Sequence, residues 1–323
     1  MKCVKQIVAF AISLVSISSL HAEDIDHYTT AVEAGTHEIF MPPNQLHLRS
    51  NAGGSDIDEA LFDEIIDEIY DYYTTIVSSH GAVLNTVREW DNNTVNAQAY
   101  QSGNNWFIRM YGGLARAPEV TPDGFALVVC HEMGHHLAGF PFKGARWAAS
   151  EGQSDYFATQ SCARQLWLYD DNSEYEHSAP QTVKNECNAR WNTTFEQQLC
   201  YRTALAGKSL ADLLAASRGV AVHFDTPDQG KVDKTYINHP APQCRLDTYF
   251  AGSLCTMDLD PFFIPGKNAV LGRESMYAEM ESAYHYCASI SADLDVINYN
   301  DAHRPRCWFK PKLKAADVPD LYY

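Results

Sequence analysis

The residues best suited to chemistry lie in one stretch, Val129-Cys130-His131-Glu132-Met133-Gly134-His135-His136. On a helix, side chains four positions apart project from the same face, so His131 and His135 could hold one divalent cation between them. Glu132 lies beside them as a carboxylate that could accept a proton. The stretch therefore predicts a metal site with a general base next to it.

Glu151 is the best candidate for a third ligand. The spacing of metzincin peptidases is excluded, because Ala138 and Pro141 occupy the glycine and last histidine positions of that pattern. Glu151 could complete a His-His-Glu site and leave a fourth position for water. Asp155, one helical turn further on, could accept the free ring N–H of His131 and fix its tautomer.

The alternative for Glu151 and Asp155 is an ordinary acidic helix face. Two glycines favour the metal site. Gly152 in the middle of a helix costs roughly 1 kcal/mol, and close approach to the helix that carries Gly134 would explain both residues. We therefore expect the two helices to pack tightly against each other.

Local signals define the helix that presents the two histidines. Thr121 is a natural N-cap, and Pro122 fits the first helical position, where its missing N–H costs nothing. The run from Phe125 to Cys130 is almost wholly apolar, which indicates a buried helix, and Gly139 can end it in the left-handed conformation. His136 points about 100° away from His135, so we expect it to have a packing role.

We expect an α+β fold that is mainly helical, with a small sheet whose edge strand borders the metal helix. Residues 23–54 have no clear period and are expected to form an irregular N-terminal arm. Ser55 is expected to cap an amphipathic helix that Gly81 ends. A strand meander is then predicted over Ala82–Trp90, Thr94–Tyr100 and Trp106–Tyr111. Its edge strand should border the metal helix, where an extended peptide could add itself as a further strand.

These motifs resemble those of the gluzincin metallopeptidases, and within them the HtpX, CAAX-prenyl-endopeptidase and BepA-like branch. The match comprises His131-Glu132-x-x-His135, Glu151-x-x-x-Asp155, an Asn96-Ala97 strand, and His239-Pro240-x-x-x-x-Arg245-Leu246, in the family's order over roughly residues 95–250. The resemblance implies a zincin-like fold, one zinc ion, peptide-bond hydrolysis and Glu151 as third ligand. It also places His239 and Arg245 near the substrate carbonyl.

The mechanism expected from this resemblance uses Glu132 as general base toward a zinc-activated water, and later as the acid that protonates the leaving amine. His239 could donate to the oxyanion, with Arg245 as its positioning or charge-stabilising partner. Alternatively, His239 is a removable fourth zinc ligand that keeps the enzyme latent, or a turn histidine before Pro240.

The chain departs from its better-known relatives. It has no membrane helices or recognisable helical-repeat domain, and it is rich in cysteine. We expect one zincin-like domain over residues 55–323, with residues 163–238 as either a lid or a disulfide-pinned surface insertion. Two other functions stay open, a non-catalytic zinc-binding envelope assembly or quality-control factor and a zinc amidase that acts on a non-protein substrate.

Residues 1–22 predict a signal peptide that is cleaved near Ala22. Lys2 and Lys5 precede a short apolar run that ends in a small residue. Its removal changes the formal net charge of the chain from −17 to −19. Such an acidic surface argues against a nucleic-acid partner. We expect a periplasmic or secreted protein without stable membrane insertion, with a protein or peptide as substrate.

The nine cysteines become eight without Cys3, and an even number in an exported chain predicts up to four disulfides. Cys244 and Cys255 should not pair, because on one helix they would lie about 16 Å apart. Cys287 and Cys307 are expected to form a late pair, and Met276–Cys287 a helix.

Overall fold

The structure, a computed structural model, describes residues 37–46, 54–144, 147–287 and 302–311. All of them fall within one unit of the chain that begins at His37. The predicted signal peptide lies outside the described residues. The described part of the predicted irregular arm contains a strand, β1 (His37–Ile39).

The sheet has four strands in the order β1-β3-β4-β2, where β2 is Val83–Glu89, β3 is Ala97–Ser102 and β4 is Asn105–Tyr111. β3 and β4 form an antiparallel hairpin around Gly103, whose φ of 62° suits the tight turn. β2 runs parallel to β4, and β1 runs antiparallel to β3.

The three predicted strands are present, but the predicted meander is wrong. In a meander β2 would pair with β3, whereas here β4 lies between them and the sheet is mixed. The edge strand beside the metal helix is β1, which comes from the N-terminal arm. Hydrophobic periodicity could not reveal this pairing, because β1 is only three residues long and pairs with a strand about sixty residues away.

Helices make up most of the described fold: α1 (Glu59–Ser79), α2 (Gly112–Ala115), α3 (Pro122–Leu137), α4 (Glu151–Phe157), α5 (Arg164–Leu166), α6 (Tyr175–Ser178), α7 (Gln181–Arg190), α8 (Thr194–Ala216), α9 (Pro242–Leu254) and α10 (Met276–His285). A π-helical turn, Ala158–Ala163, joins α4 to α5. The predicted α+β class with a mainly helical chain is confirmed. No helix in the described ranges is long and apolar enough to cross a membrane.

The predicted limits of α3 are confirmed. The Thr121 side chain accepts from the Gly124 N–H, Pro122 opens the helix, and Gly139 follows it with a φ of 71°. α1 ends before Gly81, which has a φ of 73°, but its N-cap is Asp58 and not Ser55. Ser55 accepts from the Ile57 N–H just upstream of the helix.

α3 lies at the centre of the described fold, and every residue from Gly124 to Leu137 is buried. It packs against α1, α4, α8 and the sheet, and α9 covers α4 and α8. The segment predicted as an insertion, 163–238, therefore contains a core helix. Because α8 buries its apolar face against α3 and α9, that part of the insertion is neither a lid nor a surface addition.

Four disulfides are present: Cys130–Cys162, Cys187–Cys200, Cys244–Cys307 and Cys255–Cys287. The exclusion of a Cys244–Cys255 pair is confirmed, but the predicted Cys287–Cys307 pair is wrong. Cys307 instead bonds to Cys244 near the start of α9, and Cys287 bonds to Cys255, the C-cap of α9. Four disulfides are typical of a protein from an oxidising compartment.

Candidate metal centre

His131 and His135 project from one face of α3, with ring centroids 4.8 Å apart. Both side chains are completely buried. Their Nε2 atoms point to a common place and have no hydrogen-bond partner. Two buried, unpaired imidazole nitrogens on successive helical turns form one side of a metal site.

Glu151, the first residue of α4, lies opposite the two histidines. Its Oε2 is 3.3 Å from Nε2 of His131, and its Oε1 is 3.8 Å from Nε2 of His135. For a tetrahedral ion with bonds of about 2.0–2.1 Å, ligand atoms lie roughly 3.3–3.5 Å apart. The three side chains therefore form a group that could bind a metal ion.

The close approach of α4 to α3 depends on Gly134. A Cβ atom on Gly134 would lie 2.9 Å from the Cα of Ser154, so no larger residue fits without a shift of backbone. The expectation for Gly152 is wrong: a Cβ there would meet the indole of Trp308, 2.3 Å away, and not α3. Gly152 makes room for the C-terminal segment, for which the local sequence had no signal.

Asp155 lies behind His131. Its Oδ1 accepts from the ring Nδ1 of His131 at 2.8 Å, which leaves Nε2 as the metal-facing nitrogen. Burial by itself lowers the pKa of His131, but the Asp155 carboxylate outweighs it and raises that pKa to about 9. A metal ion would replace the proton on Nε2 of His131, while the proton on Nδ1 stays in its hydrogen bond to Asp155.

Arg245 forms a bidentate ion pair with Asp155, with Nε–Oδ2 and Nη2–Oδ1 distances of 2.7 and 2.6 Å. Its Nη1 donates to the carbonyl oxygen of Phe40 at 2.6 Å. Although burial opposes the charge, Arg245 keeps the pKa of Asp155 below its usual range. The structure thus places Arg245 behind His131 as a positioning residue, whereas the family resemblance implied a position beside the substrate carbonyl.

His135 is oriented by backbone. Its Nδ1 donates to the carbonyl oxygen of Ala149 at 3.0 Å, and the hydroxyl of Ser154 lies 3.1 Å from the same nitrogen. Burial lowers the pKa of His135 far below its ordinary value, so the ring is neutral and its Nε2 carries a lone pair. This is the form in which imidazole binds a metal.

Glu132 adjoins the cluster but is not part of the group of three. Its side chain is completely buried, and neither carboxylate oxygen has a hydrogen-bond partner. Burial raises the pKa of Glu132 to about 8, which the neighbouring His131 partly offsets. A buried carboxyl with a pKa near neutrality suits an acid that also acts as a base.

Lys143 and Glu38 are the site residues that sequence reasoning missed. The Lys143 ammonium lies 2.6 Å from Oε1 of Glu151 and also pairs with the Glu38 carboxylate. Burial acts against the charge, but these two carboxylates raise the pKa of Lys143 above its ordinary value. Neither residue belongs to a recognisable motif. Glu38 reaches the site through the pairing of β1 with β3, and Lys143 reaches it through the path of the loop after α3.

Charge balance supports a divalent cation at this place. The described residues around the cluster include four buried carboxylates, on Glu38, Glu132, Glu151 and Asp155, and two buried cations, on Lys143 and Arg245. With both histidines neutral and all four carboxylates ionised, the negative charges exceed the positive charges by two. Without a metal ion, the raised pKa values of Glu132 and His131 mean that these two groups hold protons that balance this charge, and a divalent cation would replace those protons. A buried excess of negative charge is costly unless it binds a cation or protons.

His239 lies at the edge of the cluster, with Nε2 3.6 Å from Oε2 of Glu151. That nitrogen donates to the carbonyl oxygen of Ile39 at 2.7 Å, so the ring is not one of the three clustered ligands. Burial lowers its pKa, which keeps the imidazole neutral. His239 thus lies beside the three clustered side chains and holds the backbone of the N-terminal segment through Ile39.

His136 has the expected packing role. Its ring stacks between Trp106 and Trp147, with centroid distances of 5.1 and 4.7 Å. Nε2 donates to the Phe107 carbonyl oxygen and Nδ1 accepts from Gln101. Burial lowers the pKa of His136 to about 3, so the ring stays neutral.

The chain was compared with known proteins. No protein-family model, curated protein or solved structure matches it.

Proposed function

We propose that this chain is an exported, zinc-dependent endopeptidase with a zincin-like fold of the gluzincin type. The observation that carries the proposal is the arrangement of Glu132. A buried, unpaired carboxyl lies beside a His-His-Glu group whose metal-facing nitrogens are also unpaired. A purely structural metal site closes its coordination with four protein ligands and needs no such base.

Zinc suits the donor set. Two imidazole nitrogens and one carboxylate are the ligands of catalytic zinc sites that keep a position open. His131 and His135 would each bind through Nε2, and Glu151 through its carboxylate. A bound zinc ion would supply Lewis-acid activation of water and of the scissile carbonyl group.

The chain's own residues perform the proton transfers. Glu132 takes a proton from the attacking water and delivers it to the leaving amine, a role that suits a buried carboxyl beside the three proposed ligands. His239, a neutral imidazole with an N–H now engaged by Ile39, is the candidate donor to the oxyanion. Asp155 and Arg245 hold the His131 ring in the tautomer that leaves Nε2 free.

A peptide substrate is favoured by the sheet next to the cluster. β3 already receives one extended segment of the chain beside the metal site, through antiparallel backbone pairing. Backbone pairing of this kind is independent of side-chain identity, and it presents successive carbonyl groups at regular intervals along the site. A non-peptide substrate would make no use of it.

The test compares Glu132→Gln with wild type and with Glu119→Gln, a half-exposed glutamate just before α3. Zinc content and hydrolysis of an unfolded generic protein are measured on the mature chain. We expect Glu132→Gln to retain about one zinc per chain and to lose nearly all activity, while Glu119→Gln matches wild type. Near-full hydrolysis by Glu132→Gln would refute the mechanism. Once activity is established, a proteomic comparison of cells that carry wild type or Glu132→Gln would identify natural substrates.

A further inference from the structure

The cluster is shut off from solvent in this structure. His131, Glu132, His135 and Glu151 are all 0% exposed. A hydrolase has to admit both a water molecule and a peptide to such a cluster. Some part of the covering must therefore move before the proposed reaction can take place.

Among the described residues, one part of the covering is a short piece of the N-terminal arm, residues 38–41, which we name the plug segment. β1, which includes its first two residues, pairs with β3 in the register Glu38 with Ala99 and Ile39 with Gln98. The Phe40 N–H then donates to the Ala97 carbonyl oxygen at 3.2 Å. Without β1, β3 would be the edge of the sheet, so the plug segment occupies the position of an added strand.

Asn96 holds the end of the plug segment. Its side-chain oxygen accepts from the Met41 N–H at 3.1 Å, and its side-chain nitrogen donates to the Met41 carbonyl oxygen at 3.0 Å. This two-way contact is made to peptide groups alone. It would hold the backbone of any extended chain placed there, whatever its sequence.

Two side chains of the plug segment point at the cluster. Glu38 and Phe40 are two positions apart on extended backbone and so face the same way. The Glu38 carboxylate pairs with Lys143, which in turn contacts the ligand Glu151. The Phe40 ring packs edge-on against His131, with centroids 5.3 Å apart.

Two backbone carbonyl groups of the plug segment accept hydrogen bonds from His239 and Arg245, the two residues that the family resemblance placed near the substrate carbonyl. The Ile39 oxygen accepts from His239 at 2.7 Å, and the Phe40 oxygen accepts from Arg245 at 2.6 Å. While Ile39 occupies the imidazole N–H, His239 cannot donate to an oxyanion. The plug segment therefore blocks both the space over the cluster and one of its proposed functional groups.

We propose that the plug segment is an internal peptide that occupies the substrate groove and keeps the site latent. Its departure from β3 exposes the cluster, frees His239 and leaves an edge strand for an extended peptide of another protein. This inference rests on the proposed hydrolase function. It adds that the described form is the closed one, with the plug segment bound in place of substrate.

The experiment locks the segment in place with a disulfide between His37→Cys and Tyr100→Cys. These residues are directly opposite each other, and their rings stack with centroids 4.3 Å apart. The Phe40–Ala97 bond makes them a non-hydrogen-bonded pair, whose Cα atoms lie about 4.5 Å apart, within the range that a disulfide can bridge. Two quantities are measured on the zinc-loaded mature chain: the rate at which a chelator removes the metal, and hydrolysis of an unfolded protein.

We expect the cross-linked chain to lose metal at least about tenfold more slowly than wild type and to hydrolyse protein at least about tenfold more slowly. The two single cysteine variants serve as matched controls and should resemble wild type. Glu38→Gln, which removes the charge that Lys143 pairs with, should accelerate metal loss severalfold. Phe40→Ala should accelerate metal loss further. If Phe40→Ala folds poorly, the rate of metal loss from Glu38→Gln still tests the plug segment.

The outcomes separate the two proposals. Unchanged hydrolysis and chelation rates in the cross-linked chain would overturn the plug segment and leave the hydrolase intact. Chelation rates in the expected order without hydrolysis in any variant would support the plug segment and overturn the hydrolase. A wild-type chain that binds no zinc would overturn both.

Discussion

The group formed by His131, His135 and Glu151 has two sides that are built in different ways. The back consists of helices: α3 and α4 supply the three clustered residues, and the Cys130–Cys162 disulfide ties α3 to the turn that continues α4. The front consists of single residues from distant segments, Glu38 on β1, Lys143 in the loop after α3, and His239 before α9. The back holds its parts by continuous helix packing, whereas the front holds them by a few backbone hydrogen bonds and one buried lysine.

Under the proposed function, the two sides would have different roles. A catalytic metal needs ligands that stay within a fraction of an ångström of their positions, and packed helices provide that rigidity. Access to the metal needs a part that can leave, and a three-residue strand offers few interactions to break. Substitutions on each side should therefore have different effects on metal binding, activity and stability.

The largest effect is expected at Glu151, which belongs to both sides because it faces the histidines and also Lys143. Glu151→Ala should lose nearly all bound zinc, since two histidines alone make a weak site. Glu151→Gln, with the same shape but no charge, should also retain little. Metal content measured by elemental analysis against Glu132→Gln, which should stay loaded, checks this. Stoichiometric zinc in Glu151→Ala would mean that the third ligand lies elsewhere.

The pair behind His131 should contribute chiefly to stability. Arg245→Met strands the buried Asp155 carboxylate, and breaking such a pair costs about 3–5 kcal/mol. Asp155→Asn should in addition lower zinc affinity by about 10–100-fold, because it weakens the hold on the His131 ring. The two changes combined should cost less free energy of unfolding than their sum, measured in urea on metal-free protein. Strict additivity would show that the pair does not act as a unit.

His239 tests the front. If it donates to the oxyanion, His239→Ala should lower kcat and kcat/KM together by roughly 10²–10³-fold and leave zinc content unchanged. If it instead acts as a latching ligand, its removal should raise activity. Steady-state kinetics with metal content measured alongside distinguishes these results. An unchanged rate would remove His239 from the mechanism altogether.

The smallest effect is expected at Asp247, which lies on α9 two residues after Arg245. Burial raises the pKa of Asp247 to about 6, partly offset by the Asp228 N–H. Between about pH 4 and pH 6 the folded chain therefore binds a proton there that the unfolded chain has lost, so the contribution of Asp247 to stability should fall as the pH rises through this range. Asp247→Asn should change the difference in the free energy of unfolding between pH 4 and pH 6 by on the order of 1 kcal/mol, measured by urea titrations at several pH values. An equal slope in both proteins would contradict the assignment.

The two sides also differ in how well the sequence predicts them. The limits of α3, the positions of His131 and His135, and the proximity of Gly134 to α4 follow from helical spacing and capping residues within a few turns. Glu38 and Lys143 could not be predicted in this way. Their places depend on the pairing of β1 with β3 and on a loop path, and neither leaves a periodic trace in the sequence.

The disulfides show the same limit. Helix geometry excludes a Cys244–Cys255 bond, because that constraint is local. The actual partners, Cys307 and Cys287, depend on how the C-terminal segment packs against α9. The role of Gly152 was misjudged for the same reason, since Trp308 reaches it from more than 150 residues away.

Every role proposed above requires that the buried group of His131, His135 and Glu151 is a metal site. Native mass spectrometry of the mature chain, with its four disulfides intact and after incubation with zinc, measures this directly. We expect a mass increase of one zinc ion per chain that is retained in Glu132→Gln and absent in His131→Ala. A wild-type chain without a bound ion, or a His131→Ala chain that keeps one, would contradict it.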